Sequence, residues 1–370
     1  MTDDFDDVRN FKEAAEKGIK RVKKAGSNNP LVILPTSAKF PLAARASLLG
    51  VFHGLYTPIE IRDTKPSAAS YKKIEQLGVY CSETTSLAGD VSLVKALEEG
   101  RIVARDIGGS DPERMAAPRV VDYVTELFRD TCVKIDVISD PAVFEKEYPL
   151  LAAVNRCSAK VPRHAGSLIY LEYNGAGPID KTLLLVGKGI TYDTGGADIK
   201  TGGAMAGMHR DKCGAAAVAG FFHFLATHKP KNLRVLGAMA MVRNSVGSEC
   251  YVSDEIITSR AGVRVRVCNT DAEGRMVMAD VLCRMKERAL TEVNPQLFTV
   301  ATLTGHVIRC YGENYTSLID NGPAWRDGVS KHIAEAGDLC GEPCEVRIVK
   351  VRRGGSRGTN ISHLAFHVIL

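Results

Sequence analysis

The sequence predicts an α/β fold: a larger domain with a mixed, largely parallel sheet flanked by helices, preceded by a smaller N-terminal α/β domain. Three observations carry this. Apolar strand patterns and helix patterns alternate along most of the chain, the signature of layered α/β architecture. The 370 residues are enough for two domains of ordinary size. Glycine-rich turns recur just beyond apolar runs, where a strand hands over to a helix.

Phe11, Ala14, Ala15, Ile19 and Val22 fall at helical spacing, which predicts an opening amphipathic helix, closed by Gly26-Ser-Asn-Asn-Pro30. Residues 31–34 read as a buried strand and 42–51 as a helix. Further strands are expected at 133–138, 167–173, 182–186, 233–241, 263–268 and 297–303. Further helices are expected at 91–104, 118–129, 142–154, 215–226, 274–287 and 324–336. Gly108-Gly-Ser-Asp-Pro112 is the best linker candidate. The expected division is 1–100, 101–345 and a divergent tail, 346–370. The tail is basic and glycine-rich over 351–360 and turns apolar over 361–370, so it reads as a flexible segment and not as a sheet element.

With 45% hydrophobic and 25% charged residues, the composition is that of a soluble globular protein. A formal net charge of +5 is mild for this length and does not imply nucleic acid. The ten cysteines are scattered from Cys81 to Cys344 without the density of a disulfide scaffold, so reduced thiols in a cytoplasmic protein are expected. The acidic start MTDDFDDVRN lacks the apolar core of a signal peptide. The longest apolar stretch, near 215–226, is too short to cross a bilayer.

Two segments concentrate the chemistry. Val186-Gly-Lys-Gly-Ile-Thr-Tyr-Asp-Thr-Gly-Gly196 begins where an apolar strand ends, and in open α/β sheets sites gather beyond the carboxyl ends of strands. It brings Lys188 and Asp193, then Lys200, and Asp211 follows just before the Gly214-Ala-Ala-Ala helix start. Asn269-Thr-Asp-Ala-Glu-Gly-Arg275 follows a β-branched strand and opens another helix. From an extended turn Asp271 and Glu273, two apart, can point into one pocket. Four carboxylates at such places form a hard, oxygen-rich cluster whose charge is costly unless cations neutralise it. Two divalent ions ~3.5–4 Å apart are a standard arrangement for hydrolysis. A lysine joins such a set only as a neutral amine, and nearby dications lower its pKa in that direction. Taken singly, each residue has a plainer reading. Lys188 and Lys200 would be solvated loop lysines, the aspartates turn formers or helix caps, Arg275 a surface arginine, and His209 an exposed or supporting neighbour. Gly175–Thr182 lacks the glycine before lysine that a phosphate-binding loop needs.

In these motifs the sequence resembles the leucyl aminopeptidases of peptidase family M17. The matching stretches are VGKGITYDTGG with Ile199-Lys200, RDKCGAAA at 210–217, NTDAEGR at 269–275 and ATLTG at 301–305. The resemblance implies a metalloaminopeptidase that removes the N-terminal residue from peptides by a hydroxide activated on two metals. It implies Lys188, Asp193, Asp211, Asp271 and Glu273 as ligands of two divalent ions, Zn2+ or Mn2+. Asp193 and Glu273 would bridge the ions, Lys188 and Asp211 would complete the tighter site, and Asp271 the more exchangeable one. Lys200 would stabilise the oxyanion, and Arg275 would hold a bicarbonate serving as general base. Thr302, Leu303, Thr304 and Gly305 would line the substrate cleft. The expected partners are a peptide with a free N-terminus and further copies of the chain, a hexamer in the family, with no membrane and no nucleic acid.

Three features depart from the family pattern. Cys213 stands where many members have glycine, the N-terminal domain is short, and the chain ends before the expected close of the catalytic domain. The alternative function is therefore a catalytically impaired structural or binding homologue. A nucleic-acid role has only the basic run 347–357 behind it, which reads as a solvated tail.

Overall fold

The computed structural model describes residues 7–65, 67, 71–82 and 87–347, and the backbone alone of 348 and 364–369. Most of the basic run and of the tail thus lies outside the described residues. The N-terminal part contains α1 (Arg9–Lys24), β1 (Leu31–Ile33), α2 (Ala43–Leu55), α3 (Ile59–Asp63), β2 (Gly78–Tyr80) and α4 (Leu87–Gly109). Strands β1 and β2 pair in parallel. The 31–34 strand forms, but Leu31 and Ile33 are exposed. Only one face of this two-stranded ribbon is covered: Val32 and Val79 pack against Leu48, Leu49 and Val94, and the other face meets solvent. Residue 100 falls inside α4, which continues to Gly109.

The rest runs α5 (Ala117–Phe128), β3 (Lys134–Ile138), α6 (Pro141–Glu147), α7 (Pro149–Asn155), β4 (Ser167–Asn174), β5 (Lys181–Asp193), α8 (Cys213–His228) and β6 (Leu233–Asn244). Then come β7 (Ile256–Thr258), β8 (Arg264–Arg266), α9 (Glu273–Ala289), β9 (Pro295–Ala301), α10 (His306–Tyr311), β10 (Thr316–Asp320), α11 (Gly322–Arg326), α12 (Val329–Cys340), β11 (Cys344–Ile348) and β12 (Leu364–Ile369). Among the described residues eight strands form one mixed sheet in the order β11-β10-β12-β9-β5-β6-β4-β3. Its middle, β12-β9-β5-β6, is parallel throughout.

Side-chain alternation sorts the central strands between two cores, as strands covered on both faces require. Leu184, Val186 and Ile190 of β5, with Leu236, Ala238 and Ala240 of β6, meet Val277, Val281 and Met285 of α9. On the other face Ile169, Leu171, Val235 and Met239 meet Ile107 of α4, Val120 and Val124 of α5 and Phe222 of α8. Among the described residues no helix is long and apolar enough to cross a membrane.

Several expected elements differ in instructive ways. The helix expected at 142–154 is two helices, broken at Tyr148, whose φ of −140° and ψ of 60° lie outside the helical region. Pro149 causes this, because the residue before a proline is driven out of helical geometry. The helix expected at 324–336 likewise divides into α11 and α12. The run 263–268 supplies β8, which pairs only with β7 in a separate two-stranded ribbon. The strand expected to end at Val186 continues to Asp193, with a register shift between Ile190 and Asp193. Flanked by β6 and β9, this extension finds backbone partners on both sides at its start. The tail is the largest correction. Leu364–Ile369 is a strand, parallel to β9 and antiparallel to β10. Inserted between them, it satisfies backbone groups of both neighbours that would otherwise stand at open sheet edges.

Candidate metal centre

The site lies at the carboxyl ends of β5, β6 and β9. Lys188 sits on the face of β5 that Leu184, Val186 and Ile190 turn to the α9 core, so strand alternation buries it. Its side chain passes the start of α9, where a Cβ on Gly274 would come within 2.6 Å of Lys188 Cε. Glycine is therefore required at that position. Lys188 Nζ lies 2.8 Å from both Asp211 Oδ1 and Glu273 Oε1 and donates to the Thr302 carbonyl at 2.9 Å. Thr302 Oγ1 donates to Asp211 Oδ1 at 2.8 Å. Asp211 comes from the 3-10 turn Met208–Lys212 that runs into α8. Glu273 is the first residue of α9, where the helix dipole favours a carboxylate.

A second lysine closes the outer half. Lys200 Nζ lies 2.8 Å from Asp193 Oδ2 and also pairs with Asp271. Asp193 Oδ1 accepts from Gly195 N at 2.9 Å and from Asn244 Nδ2 at 2.8 Å. The Asp271 turn is set by Asn269, whose Oδ1 accepts from Asp271 N at 2.7 Å. Ligand atoms of Asp193, Asp211 and Glu273 all lie within 4.8 Å of one another, and all three residues are buried.

The electrostatics follow from that burial. Burial pushes Asp211 up to about 7 against the pull of Lys188, with Glu273 and Asp193 adding to the rise. Glu273 is raised for the same reason. Burial alone would lower Lys188, but Asp211 and Glu273 outweigh it and hold the ammonium above the ordinary lysine range. Lys200 is raised likewise, with Asp193 and Asp271 outweighing its partial burial. Asp211 Oδ2 is buried and has no hydrogen-bond partner, an arrangement that costs about 1–3 kcal/mol or more for a charged group. A hard cation fits this donor set. It would satisfy the orphaned oxygen and relieve the crowding of negative charge.

The structure brings together Lys188, Asp193, Lys200, Asp211, Asp271, Glu273 and Thr302. Leu303 turns partly into the α9 core, and Thr304 and Gly305 lead into α10. Arg275 is exposed on α9, with no hydrogen bond or ion pair to any described residue. Cys213 is tucked against α4, its Sγ occupying the space a side chain on Gly108 would need.

Sequence reasoning missed a second layer. Thr270 is fully buried and joins both motif segments. Its Oγ1 donates to Gly195 O at 2.6 Å and accepts from Asp198 N at 2.8 Å, while its N–H donates to Asp198 Oδ2 at 2.7 Å. Its carbonyl accepts from Tyr251 Oη at 2.7 Å and Asn244 Nδ2 at 3.1 Å. Lys212, also fully buried, donates to the carbonyls of Ser110 and His209, tying the end of α4 to the Asp211 turn. Burial lowers it to about 8. A polar residue closing a buried strand, as Asn244 closes β6, was the available signal.

Comparison with known proteins gives the chain's family and fold. Residues 102–346 match the family model described as the cytosol aminopeptidase family, catalytic domain. A Caenorhabditis elegans protein named "Putative aminopeptidase" is 45% identical over 93% of this chain. A "Probable cytosol aminopeptidase" of Methylobacterium radiotolerans is 30% identical over 86% of it. The chain spans 65% and 61% of the lengths of these two relatives. The solved structure titled "Bottromycin maturation enzyme BotP in complex with Mn" shares the fold, with a TM-score of 0.81 over 98% of this chain and 80% of its own, at 23% identity. On these grounds the chain belongs to the cytosol aminopeptidase family, peptidase family M17, and residues 102–346 match its catalytic domain.

Proposed function

We propose that the chain is an aminopeptidase that hydrolyses the first residue from peptides with a free N-terminus and depends on two divalent ions. The observation behind this reading is the buried trio Asp193, Asp211 and Glu273, with Lys188 against two of its members. Without ions, two lysines face four carboxylates, and the inner carboxyls are forced upward in pKa. Two dications would neutralise the carboxylates, with Lys188 giving up its proton to serve as an amine donor. Lys188, Asp193, Asp211, Asp271 and Glu273 would hold them, with Asp193 and Glu273 shared. Mixed amine and carboxylate donors suit Zn2+ or Mn2+ without choosing between them, and the fold relative solved with Mn is consistent with either.

When bound, the ions would supply Lewis-acid polarisation, a more acidic water and an anchor for the substrate α-amine. The chain's own groups do the rest. Lys200 directs an N–H at the oxygen where charge develops. Arg275, exposed and unpaired, would hold the bicarbonate that accepts the proton. The 302–305 turn would line the cleft beside Lys188. The hexamer belongs to the same reading.

The test compares a leucyl peptide with its N-acetylated form, after chelation and after adding Mn2+ or Zn2+. Cleavage of the free peptide alone, restored by metal, is expected. Bound metal without turnover would favour the alternative, a binding homologue that has lost its chemistry.

A further inference from the structure

We infer that Asn244 is a positioning residue for the metal centre, its side-chain amide fixing the orientation of Asp193 where Asp193 meets Glu273. The inference rests on the metal-centre reading above, and it concerns a residue outside the proposed ligand set.

Asn244 ends β6 directly beside the end of β5, in register with Asp193. Its carbonyl accepts from Thr194 N at 2.9 Å, so its backbone is tied to the residue after Asp193. The residue is 1% exposed, and water does not compete for its amide. Nδ2 lies 2.8 Å from Asp193 Oδ1, 3.1 Å from Thr270 O and 3.5 Å from Glu273 Oε2. Ionised carboxylates and carbonyls only accept, so the face of the amide turned to them must be the NH2 group. Its Oδ1 faces Gly196, which has a φ of +68° and where a Cβ would lie 2.8 Å from that oxygen. A side chain there would displace the amide.

The amide sorts the oxygens of Asp193 and lies beside the outer oxygen of Glu273. It takes Asp193 Oδ1 and approaches Glu273 Oε2, while Asp193 Oδ2 turns to Lys200 and Glu273 Oε1 to Lys188. A neutral donor suits this task. A cation would compete with bound metal for the same charge, and a carboxylate would add to the repulsion already raising Asp211 and Glu273. Groups that orient metal-binding side chains in this way commonly affect metal affinity by about 10–100-fold.

Tyr251 provides the control. Its hydroxyl donates to the same Thr270 carbonyl but has no hydrogen bond to either carboxylate. Mn2+ is titrated calorimetrically into chelator-stripped full chain, as wild type, Asn244→Leu and Tyr251→Phe, with Tm of the metal-free proteins recorded alongside. Asn244→Leu keeps the branched shape and loses the donor. Its Mn2+ affinity should fall about 10–100-fold, with a Tm loss similar to that of Tyr251→Phe, whose Mn2+ affinity should stay near wild type. If Asn244→Leu does not fold, Asn244→Ser, whose hydroxyl is too short to reach Asp193, carries the same comparison. Unchanged Mn2+ affinity at position 244, or equal losses in the 244 and 251 variants, would show that Asn244 serves only the Thr270 turn and overturn the inference. A wild-type chain that binds no Mn2+ would overturn the metal-centre reading itself, and the inference with it.

Discussion

The two halves of the site repeat one chemical pattern, a lysine between two carboxylates, in different surroundings. In the inner half the side chains of Lys188, Asp211 and Glu273 are 3%, 9% and 2% exposed. In the outer half those of Lys200, Asp193 and Asp271 are 14%, 5% and 36% exposed. Solvent reaches the outer set chiefly at Asp271, so that pair is screened more than the inner ones, although Asp193 is itself buried. The inner set is cut off from water, so each charge depends on its partners and the loss of one leaves another stranded. The same contrast orders the proposed ions. On the proposed reading the inner one would be surrounded and slow to leave, whereas the outer one, completed by the half-open Asp271, would exchange more readily.

The largest effect is expected where the halves join. Glu273→Ala should abolish both Mn2+ binding and peptide hydrolysis, while Cys268→Ser, at an exposed position beyond β8, should leave both intact. Metals lost from the cysteine variant and kept by the glutamate variant would reverse the ligand assignment. A second comparison sets the lysines against each other in metal-free protein. Lys188→Met strands two buried carboxylates and should cost about 3–5 kcal/mol in denaturant unfolding, against a smaller loss for Lys200→Met, where Asp193 keeps the Gly195 and Asn244 donors and Asp271 faces solvent. Equal losses would mean that burial does not distinguish the halves. In turnover the outer lysine should matter far more than it does for stability. Loss of one oxyanion donor lowers kcat by about 100–1,000-fold, and a Lys200→Met enzyme of normal kcat would exclude it from that role.

The pH dependence is a smaller effect with a definite sign. In the metal-free fold Asp211 is raised from 3.8 to about 7, so the folded state holds a proton that the unfolded chain has released. Stability of the metal-free chain should therefore decline as pH rises from about 4 to about 7. For Mn2+ to bind, that proton and one from the Lys188 ammonium must leave, so its affinity should rise across this range and keep rising above it, by more than about tenfold between pH 6 and pH 8. Affinity that is flat with pH, measured by calorimetry, would place Asp211 outside the ligand set.

The layered fold and the inner and outer pairs were legible because local patterns carry them. Apolar runs marked β4, β5, β6 and β9, and the motif stretches 186–200, 210–217 and 269–275 held Lys188, Asp193, Lys200, Asp211, Asp271 and Glu273. What escaped depended on contacts distant in sequence. The burial of β1 was overestimated because nothing local reveals that only one of its faces is covered. β12 was missed because a short apolar run after a glycine-rich stretch becomes a strand only when β9 and β10 flank it. Asn244 and Thr270 were passed over because such residues also close ordinary turns, and their value lies in contacts across elements, Asn244 reaching Asp193 and Thr270 reaching Gly195 and Asp198. The break at Tyr148 was missed although its signal was local: Pro149 stands inside the expected helix.

The central claim is that the four carboxylates hold a pair of divalent ions, one deep and one exchangeable. It is tested most directly by the metal content of the full chain after Mn2+ loading and desalting, measured again after a mild chelator. The account predicts about two equivalents per chain, falling to about one as the outer site empties first. A value near zero after loading would contradict it.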